Sequence, residues 1–464
     1  MTRGLPDDVS VIPALRSGPL RPDSAEDLMV RLLQNLGSRK EVEQYLRLFS
    51  SVEEQRFAVI KVSGGVVQSE LEALASSIAF LDKVGLTPVI IHGAGPQLKQ
   101  AEEAAGVHST INEAGERVIS AESIGLARKV FQRENLRIVN ALEALGTRAR
   151  PIPTGVFAAE PVDDGRLGYV GHVTGVDLEA IDASIQAEQI PVLASLGETR
   201  TGQVLNVNAD AAAHRLALAI VPFKVVFLSP EDGIRGEDGQ IISAINLEED
   251  YDTIIAEPWL TSATRNKLNE IRSMLQKLPP SSSVAVASPE NLARELFTHK
   301  GAGTLIRMGE RIRCHDDLSS IDKPRLVTLL ENSFGRRLLT DYFEKKPFYR
   351  IYLADSYRAT AILTMEAGFP YLDKFAVTTE AQGDGVGGSL WQRLSRDNDQ
   401  LFWRSRVDNE VNPWYFQRSD GAYKTDRWTV FWYGLSEYDD IKRCIDCALA
   451  MPPTLKAHSI GMTP

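Results

Sequence analysis

Hydrophobic residues between Phe57 and Met308 fall in short continuous runs that are separated by segments of helix length. Five of these runs are rich in valine and isoleucine and are typical of strands: AVIKV, PVIIH, IPVLAS, KVVFLS and SVAVAS. Apolar strands that alternate with helices are typical of a parallel sheet covered by helices on both faces. The pattern therefore predicts a three-layer α/β/α domain with a mainly parallel sheet.

The pattern changes near Gly309. Two helical stretches follow, and then the strand-like runs FYRIYLA, TAILTME and YLDKFAV come in quick succession. Strands with such short connections are typical of antiparallel neighbours. We predict a first domain over residues 51–308, a linker over 309–320 and a smaller α+β domain over 321–464.

Two amphipathic segments precede the first domain. Ser24 and Ser38 each begin a Ser-x-x-acid capping box, which is a start signal for a helix. We predict a flexible N-terminus over residues 1–22 and a helical arm over 23–50. Two interpretations of the arm remain open: a hairpin packed on its own domain, or an element of oligomerisation or regulation.

The composition narrows the class of protein. The 464 residues include 51 Lys and Arg against 62 Asp and Glu, a net charge of −11, which disfavours nucleic-acid binding. No apolar run approaches the roughly 18 residues of a membrane span, so we expect no membrane partner. The three cysteines cannot form a disulfide framework, and Cys444 and Cys447 lack the further ligands of a metal site. We expect a cytoplasmic protein without a protein-bound metal.

Glycine-rich turns follow the first two predicted strands, and Lys61 lies beside the first turn. The turn residues are Gly64 and Gly65 after the first strand, and Gly93, Ala94 and Gly95 after the second. Backbone N–H groups in such turns can approach an anion closely. Either turn alone is explained by turn chemistry, but both together favour a site for nucleotide phosphates at the carboxyl edge of the sheet.

Four motifs then identify a resemblance. Lys-x-x-Gly-Gly at Lys61, His-Gly-Ala-Gly-Pro at His92, Asn-x-Asn-Ala-Asp at Asn206 and a late lysine, Lys267, occur in this order. In these motifs residues 57–308 resemble the amino-acid kinase family, most of all its N-acetylglutamate kinases. The resemblance implies ATP with nucleotide-bound Mg²⁺ as the phosphoryl donor. Ala94 departs from the family, which has a glycine at that position.

The resemblance also implies roles for single residues. Lys61 and Lys267 would neutralise charge on the transferred phosphoryl group, while Asp210 holds both lysines. Asn206 and Arg117 would bind the acetylated amino acid. Without the resemblance, Asn206 to Asp210 would be explained as a helix cap and Lys267 as a surface lysine.

A second glycine-rich turn lies between a predicted strand and a helix in the C-terminal half. It contains Gln382, Gly383, Gly385, Gly387 and Gly388. The glycines also satisfy the dinucleotide fingerprint, but no βαβ unit surrounds them. The turn instead resembles the pyrophosphate loop of the Gcn5-related acetyltransferases (GNAT). The resemblance implies that acetyl-CoA binds here, also along Phe375, Ala376 and Val377 of the strand before it; a glycine turn without a ligand is the alternative.

The segment that follows has a more specific resemblance. Trp-Arg-Ser-Arg at Trp403, followed by Asn-Pro-Trp-Tyr, resembles the acetyltransferase domain of vertebrate-like N-acetylglutamate synthases. The likeness implies that Tyr415 protonates the departing CoA thiolate and that four residues bind L-glutamate: Lys374, Arg404, Arg406 and Asn409. On pattern alone, the two arginines fit a solvated sheet face equally well.

Together the resemblances imply an enzyme that acetylates glutamate and phosphorylates the product, N-acetyl-L-glutamate. Two alternatives remain: a synthase whose kinase-like domain is a non-catalytic arginine-sensing and assembly module, and a carbamate or aspartate kinase joined to an unrelated acetyltransferase. Arginine-sensitive relatives imply L-arginine as an effector, bound near Tyr45, Glu295 and Gly301. They also imply a homo-oligomer, which we expect to be a tetramer.

Overall fold

The computed structural model describes residues 58–107, 110–111, 117–279, 282–297, 302–381 and 385–459. The predicted flexible N-terminus and helical arm lie outside the described residues. Within them, no helix combines the length and the apolar character that crossing a membrane requires.

The first domain contains fourteen strands and nine α-helices among its described residues. The strands are β1 Ala58–Val62, β2 Val89–His92, β3 Thr110–Ile111, β4 Arg117–Val118, β5 Ala149–Ile152, β6 Phe157–Pro161, β7 Val170–Val176, β8 Ile190–Ala194, β9 Leu196–Glu198, β10 Val204–Val207, β11 Lys224–Leu228, β12 Ala244–Asn246, β13 Ser283–Ala287 and β14 Thr304–Arg307. The helices are α1 Gly64–Ser69, α2 Leu71–Lys83, α3 Gly95–Ala105, α4 Ala121–Ala144, α5 Glu179–Gln186, α6 Ala209–Ile220, α7 Leu247–Ala256, α8 Ser262–Leu275 and α9 Leu292–Phe297.

An eight-stranded sheet in the order β12-β14-β13-β11-β1-β2-β8-β5 forms the centre of this domain. All its neighbours are parallel except β13 and β14. Val59 and Val225 belong to the hydrophobic core on one face, and Ile60 and Val226 to the core on the other. Successive residues of a strand point to opposite faces, so both faces are covered. The predicted three-layer α/β/α domain is confirmed.

The strand order places the two glycine-rich turns side by side. β1 pairs with β2 in parallel, with Val62 opposite His92. The turns that follow these strands therefore start at the same edge of the sheet. A small closed barrel of β6, β7, β9 and β10 lies in the same domain, and β10 leads into α6.

The second domain has nine strands and five α-helices among its described residues. The strands are β15 Ile312–His315, β16 Arg336–Leu338, β17 Phe348–Ala354, β18 Ala359–Glu366, β19 Phe369–Val377, β20 Leu401–Arg406, β21 Gly421–Lys424, β22 Trp428–Tyr433 and β23 Leu455–Ser459. The helices are α10 Lys323–Phe334, α11 Tyr342–Lys345, α12 Val386–Asp397, α13 Asn412–Phe416 and α14 Tyr438–Ala450.

Seven of these strands form a sheet in the order β15-β17-β18-β19-β20-β22-β21. Its neighbours are antiparallel except β19 and β20, which are parallel and are paired at Tyr371 and Phe402. β19 continues for six residues beyond Tyr371 without further pairing to β20 in this register. The two strands therefore separate towards their carboxyl ends, and this leaves an opening in the middle of the sheet.

The predicted linker over residues 309–320 is wrong. β15 lies inside that range and pairs with β17, from Ile312 opposite Ala354 to His315 opposite Ile351. The second domain thus begins at Ile312. The sequence did not indicate this strand, because a four-residue edge strand with arginine, cysteine and histidine shows little hydrophobic periodicity.

Candidate active sites

The two glycine-rich turns of the first domain meet at the carboxyl edge of the sheet. A Cβ atom on Gly64 would lie 2.8 Å from Cδ of Pro96 and 3.1 Å from the backbone nitrogen of Gly95. A Cβ atom on Gly93 would lie 3.3 Å from Cβ of Ala209, the first residue of α6. The missing side chains thus allow both turns and the start of α6 to converge, as a cradle for phosphates requires.

Gln97 holds the two turns together, because its side-chain amide donates a hydrogen bond of 2.8 Å to the carbonyl of Gly64. The sequence did not identify Gln97, because its partner Gly64 belongs to the first turn whereas Gln97 follows the second.

Ala94 fits the second turn without strain. Its φ is −145°, which is negative and open to any L-residue, and it is buried just before α3. The departure from the family's glycine therefore leaves the path of the backbone accessible to alanine.

Lys61 and Asp210 form the central ion pair of the kinase-like site. Lys61 Nζ lies 2.6 Å from Oδ1 of Asp210, and the two side chains are 11% and 22% exposed. Asn208 caps α6 by accepting hydrogen bonds from the backbone of Asp210 and Ala211 at 2.8 and 3.2 Å. The cap fixes the first turn of α6 and with it the position of the Asp210 carboxylate.

Lys267 joins this pair. Burial lowers the pKa of Lys267 below its usual 10.5, and the positive charge of Lys61 lowers it further. Asp210 and Glu231 act in the opposite direction. Lys61 and Lys267 thus lie close enough to influence each other's charge around Asp210, and two neighbouring cations can stabilise a transferring phosphoryl group.

His92 makes its contacts with the second turn and with α4. It is fully buried, its Nδ1 lies 3.3 Å from the carbonyl oxygen of Gly93, and its Nε2 lies 3.2 Å from the side-chain amide of Asn135. Burial lowers the pKa of His92 to about 4, so the ring stays neutral at physiological pH.

Asn206 lines an open cavity of about 630 Å³ beside the small barrel. The cavity wall also includes Ile119, Asn208 and His214. Arg117 is the first residue of β4, two positions before Ile119, but its side chain lies outside the described residues. The predicted pairing of Asn206 with Arg117 at one substrate therefore stays a prediction.

The glycine-rich turn of the second domain leads directly into α12. Gly385 has a φ of +82°, a conformation that favours glycine, and forms the N-terminal cap of this helix. A Cβ atom on Gly387 would lie 3.2 Å from Cγ2 of Val377, so α12 packs closely on the end of β19. The first N–H groups of α12 have no intrahelical partner and are available to an anion. Gln382 and Gly383 lie outside the described residues.

The predicted acetyl-CoA residues of β19 point in different directions. The Phe375 ring lies in an aromatic cluster with Trp391 and Trp414, at centroid distances of 5.9 and 5.4 Å. Ala376 is buried in the hydrophobic core on the opposite face of the sheet. A ligand along this strand would thus contact Ala376 through its backbone only.

Tyr415 lies at the same aromatic cluster. It belongs to the short helix α13, is buried, and its ring centroid is 5.5 Å from that of Trp403 and 6.5 Å from that of Phe375. Burial raises the pKa of Tyr415 above its usual range. The phenol therefore remains a proton donor at any physiological pH.

The predicted glutamate residues share one neighbourhood, but contacts within the protein hold them. Lys374 Nζ donates to Asp373 Oδ2 and Thr454 Oγ1, both at 2.6 Å. Arg404 donates from Nη1 to the carbonyls of Ala448 and Met451 at 2.7 and 2.9 Å. The last turn of α14 and the segment after it thus orient both cations, which no local pattern in the sequence indicated.

The two other predicted glutamate residues differ in their contacts. Arg406 is half-buried and two residues from Arg404, so both lie on the same face of β20. Asn409 donates to Ser405 Oγ at 2.8 Å and accepts from the backbone of Val411 at 3.1 Å. Its amide therefore shapes the turn after β20, a role that the sequence did not indicate.

Asp373 is a buried acid that the motifs did not single out. Although burial favours the neutral acid, the positive charges of Lys374 and Lys346 lower the pKa of Asp373 to about 2. Burial also lowers the pKa of Lys374, an effect that Asp373 opposes. Asp373 therefore remains ionised and orients the Lys374 amino group.

Glu295, the predicted partner of L-arginine, is almost fully buried and already has partners. Its carboxylate accepts hydrogen bonds from the backbone of Ala302 and Gly303 at 3.1 and 3.2 Å. Lys224 Nζ lies 3.4 Å from its other oxygen. A ligand guanidinium would have to compete with Lys224 for this carboxylate. Tyr45 and Gly301 lie outside the described residues.

Comparisons with known proteins agree with this two-domain organisation. Residues 56–282 match the amino acid kinase family, and residues 313–449 match the N-acetyltransferase domain of N-acetylglutamate synthase. The chain is 46% identical over 426 residues to an acetylglutamate kinase of Xanthomonas campestris pv. campestris. The match covers 90% of this chain and 100% of that protein. It is 32% identical over 419 residues to the mitochondrial N-acetylglutamate synthase of Mus musculus, covering 88% and 75%.

Solved structures show the same fold. The N-acetylglutamate synthase of Neisseria gonorrhoeae, complexed with coenzyme A and N-acetyl-glutamate, has a TM-score of 0.60 at 22% identity, covering 86% of this chain and 98% of that one. Its complex with coenzyme A and L-arginine has a TM-score of 0.52 at 23% identity, covering 87% and 95%.

Both domains, their order along the chain and the extent of the identity lead to one conclusion. The chain belongs to the family of acetylglutamate kinases and N-acetylglutamate synthases in which an amino-acid kinase domain is joined to an N-acetyltransferase domain.

Proposed function

We propose that this chain is a bifunctional enzyme of arginine biosynthesis. Its second domain transfers the acetyl group of acetyl-CoA to L-glutamate, and its first domain phosphorylates the resulting N-acetyl-L-glutamate with ATP. The observation that carries the kinase activity is the Lys61–Asp210 ion pair with Lys267 beside it, at the edge where both glycine-rich turns meet. A domain that served assembly alone would have no use for this arrangement.

The kinase step needs positioning and charge stabilisation rather than a covalent intermediate. The γ-phosphoryl group passes from ATP to the side-chain carboxylate of N-acetyl-L-glutamate, giving an acyl phosphate and ADP. Lys61 and Lys267 stabilise the negative charge on the oxygens in transfer, and Asp210 keeps Lys61 in place. Mg²⁺ enters with the nucleotide phosphates, and Asn206 and Arg117 bind the acetylated substrate.

The acetyl-transfer step uses the opening between β19 and β20. The deprotonated amino group of glutamate attacks the thioester carbonyl, the carbon–sulfur bond breaks, and Tyr415 donates a proton to the CoA thiolate. The attacking nitrogen loses one proton to water, and the Tyr415 phenolate takes one back from water, so that N-acetyl-L-glutamate and the free thiol of CoA result. Lys374, Arg404 and Arg406 bind the two carboxylates of glutamate, since guanidinium groups pair with carboxylates in a fork. Because the strands separate here, a thioester between them is accessible from both faces of the sheet.

Two assays on the full-length chain test this function. ADP formation is followed with ATP, Mg²⁺ and N-acetyl-L-glutamate, and free CoA thiol is followed with acetyl-CoA and L-glutamate. We expect both products, each dependent on its own acceptor. Release of CoA without any ADP formation would instead support a synthase with a non-catalytic kinase-like domain.

We also propose that L-arginine regulates this protein and that the chain forms a tetramer. The support is the predicted helical arm before residue 51 and the position of Glu295, whose carboxylate already pairs with the amino group of Lys224. A ligand guanidinium has the charge and the donors to replace that amino group.

Calorimetric titration with L-arginine, for the full-length chain and for a chain that starts at Ser51, tests the effector. Sedimentation of both chains tests the assembly. The proposal fails if millimolar L-arginine neither binds nor changes either activity. Equal inhibition of both chains would remove the arm from the mechanism.

A further inference from the structure

Arg418 is a half-buried cation that lies just after α13, the helix of Tyr415. Its backbone N–H donates to the carbonyl of Tyr415 at 3.0 Å. Its guanidinium carbon lies 3.9 Å from the centroid of the Trp414 ring, and Nη1 donates to the Trp414 carbonyl at 3.4 Å, which is long for a hydrogen bond. Most of the five donors of this guanidinium group therefore have no protein partner.

The charge of Arg418 has no counter-charge among the described residues. Burial lowers the pKa of Arg418 below its usual range, and no described carboxylate opposes that effect. A guanidinium group remains charged even so, and the removal of a charge from water without a partner costs free energy. One explanation is that the aliphatic stem packs on Trp414 for its own sake. The other is that an anionic ligand supplies the missing charge.

The Trp414 ring connects Arg418 to the predicted acetyl-CoA site. Its centroid lies 5.4 Å from that of Phe375 in β19 and 5.2 Å from that of Trp391 in α12. β19 borders the opening in the sheet, and α12 begins at the glycine-rich turn. The aromatic cluster thus extends from the opening to the helix whose first N–H groups are available to an anion, and Arg418 lies on one of its rings.

The two faces of the sheet decide which reactant is near Arg418. Trp403 of β20 belongs to the hydrophobic core that contains α12, Tyr415 and Trp414. Its neighbour Arg404 points to the opposite face, where it donates to the carbonyl of Ala448 in α14. The predicted glutamate-binding cations and Arg418 therefore lie on opposite faces. An anion that reaches Arg418 along α12 comes from the acetyl donor, whose charged groups are the pyrophosphate and the 3′-phosphate of CoA.

We propose that Arg418 binds a phosphate group of acetyl-CoA and so contributes to the affinity for the acetyl donor. The inference deepens the proposed acetyl transfer and rests on it. The indole of Trp414 covers one face of the guanidinium plane and leaves the donors at its edge accessible. A planar group fixed in this way can bind two phosphate oxygens in a fork.

Steady-state kinetics of Arg418→Met with complete and shortened acetyl donors test the proposal. Methionine keeps an apolar stem on Trp414 and removes the charge. With acetyl-CoA, we expect the KM for the donor to rise roughly 10- to 100-fold with little change in kcat, as the loss of a charge-assisted contact predicts. Arg418→Lys, which keeps the charge without the fork, should fall between the parent and Arg418→Met.

Two shortened donors separate charge from packing. Acetyl-pantetheine has no phosphate group, so parent and variants should have the same KM for it. If 3′-dephospho-acetyl-CoA shows no effect of Arg418→Met, the 3′-phosphate is the partner of Arg418. If it shows the full effect, the pyrophosphate is the partner. Both results support the proposal.

Three outcomes would overturn the proposal. An unchanged KM for acetyl-CoA in Arg418→Met would show that the guanidinium group does not contact the donor. An equal rise in KM for acetyl-pantetheine would mean that Arg418 serves the packing around Trp414. A rise in the KM for glutamate alone would place a carboxylate of the acceptor beside Arg418.

Arg325→Met is the matched control in the same domain. Arg325 stacks on the ring of Tyr357 at 4.1 Å and donates to the carbonyl of Ser356 at 3.2 Å, but its side chain is exposed. It belongs to α10, which packs on the other face of the sheet with Ile351. We expect Arg325→Met to keep the parental KM for every donor.

Calorimetric titration of the full-length chain with CoA separates this proposal from the proposed function. Weaker binding of CoA to Arg418→Met than to the parent supports the proposal even if no acetyl transfer to glutamate is found. Equal affinity contradicts it. The thermal midpoint of each variant in the absence of ligand monitors folding.

Discussion

The Lys61 amino group lies 2.6 Å from the Asp210 carboxylate, in an ion pair between the end region of β1 and the first turn of α6. Both groups are largely shielded from water, so their attraction is screened less than that of a surface pair. The pair fixes one cation at the meeting point of the two glycine-rich turns, and the residues are far apart in the sequence.

Asp210→Asn should lower the kcat of ADP formation roughly 100- to 1000-fold, because Lys61 loses the carboxylate that positions it for the phosphoryl group. CoA release by the other domain should be nearly unchanged. Asp252→Asn, at a side chain 95% exposed, is the matched control and should retain both activities. An Asp210→Asn variant with parental ADP formation would show that the kinase site is placed wrongly.

The kinase activity should decline at alkaline pH. The pKa of Lys267 is lowered from 10.5, chiefly by burial and then by Lys61, so Lys267 loses its proton at lower pH than an ordinary lysine. Since the protonated form stabilises the phosphoryl charge, kcat/KM should fall as pH rises through this lowered pKa. Lys267→Arg should shift the decline to higher pH, because arginine stays charged. If the activity of Lys267→Arg declined at the same pH as that of the parent, Lys267 would not be the cause of the decline. Lys99→Arg, which changes an exposed side chain, is the control and should keep the parental pH profile.

Ala94→Gly should retain kinase turnover within about threefold, because the alanine already adopts the backbone path of the turn. It should also lower the free energy of unfolding by roughly 0.4–1 kcal/mol, since glycine gains freedom in the unfolded chain. Ala94→Val should cost about 1–3 kcal/mol, because the position is buried and close-packed. ADP assays and urea unfolding measure both effects. A large gain in turnover from Ala94→Gly would mean that alanine limits the parent enzyme.

Tyr415→Phe should reduce the kcat of acetyl transfer by roughly 100-fold or more, with smaller changes in both KM values. The hydroxyl acts as the thiolate leaves, so its loss belongs to the transition state. Tyr433→Phe is the control, because its hydroxyl donates 2.6 Å to the carbonyl of Asn398 as a structural contact. Unchanged turnover of Tyr415→Phe, measured where chemistry limits the rate, would exclude the proton-donor role.

Arg404→Ala and Arg406→Ala should separate binding from stability. Both should raise the KM for glutamate. Only Arg404→Ala should also lower the free energy of unfolding, by about 1–3 kcal/mol, because it leaves the carbonyls of Ala448 and Met451 without their donor. Glutamate titrations and urea unfolding of both variants test this. Equal destabilisation by the two substitutions would contradict the structural role of Arg404.

Much of the fold could be predicted because local patterns carry it. The valine- and isoleucine-rich runs became β1, β2, β8, β11 and β13, since a strand buried on both faces must be apolar along its whole length. β15 was missed because a short edge strand owes its pairing to β17 rather than to its own composition. Glu295 shows the same limit. Its position in the sequence matches a residue that binds the effector in arginine-sensitive relatives, but the sequence did not indicate that the Lys224 amino group lies beside it.

By itself the sequence determined the two domains and their order. It also placed Lys61, Asp210, Lys267 and Tyr415 within motifs whose spacing is local. Tertiary structure alone decided how Gly64 lies against Gly95, that Asp373 and Thr454 hold Lys374, and that the Trp414 ring on which Arg418 stacks packs against Phe375. The physical reason is that such contacts join residues distant along the chain, and their geometry depends on how the sheets and helices pack rather than on any neighbouring residue.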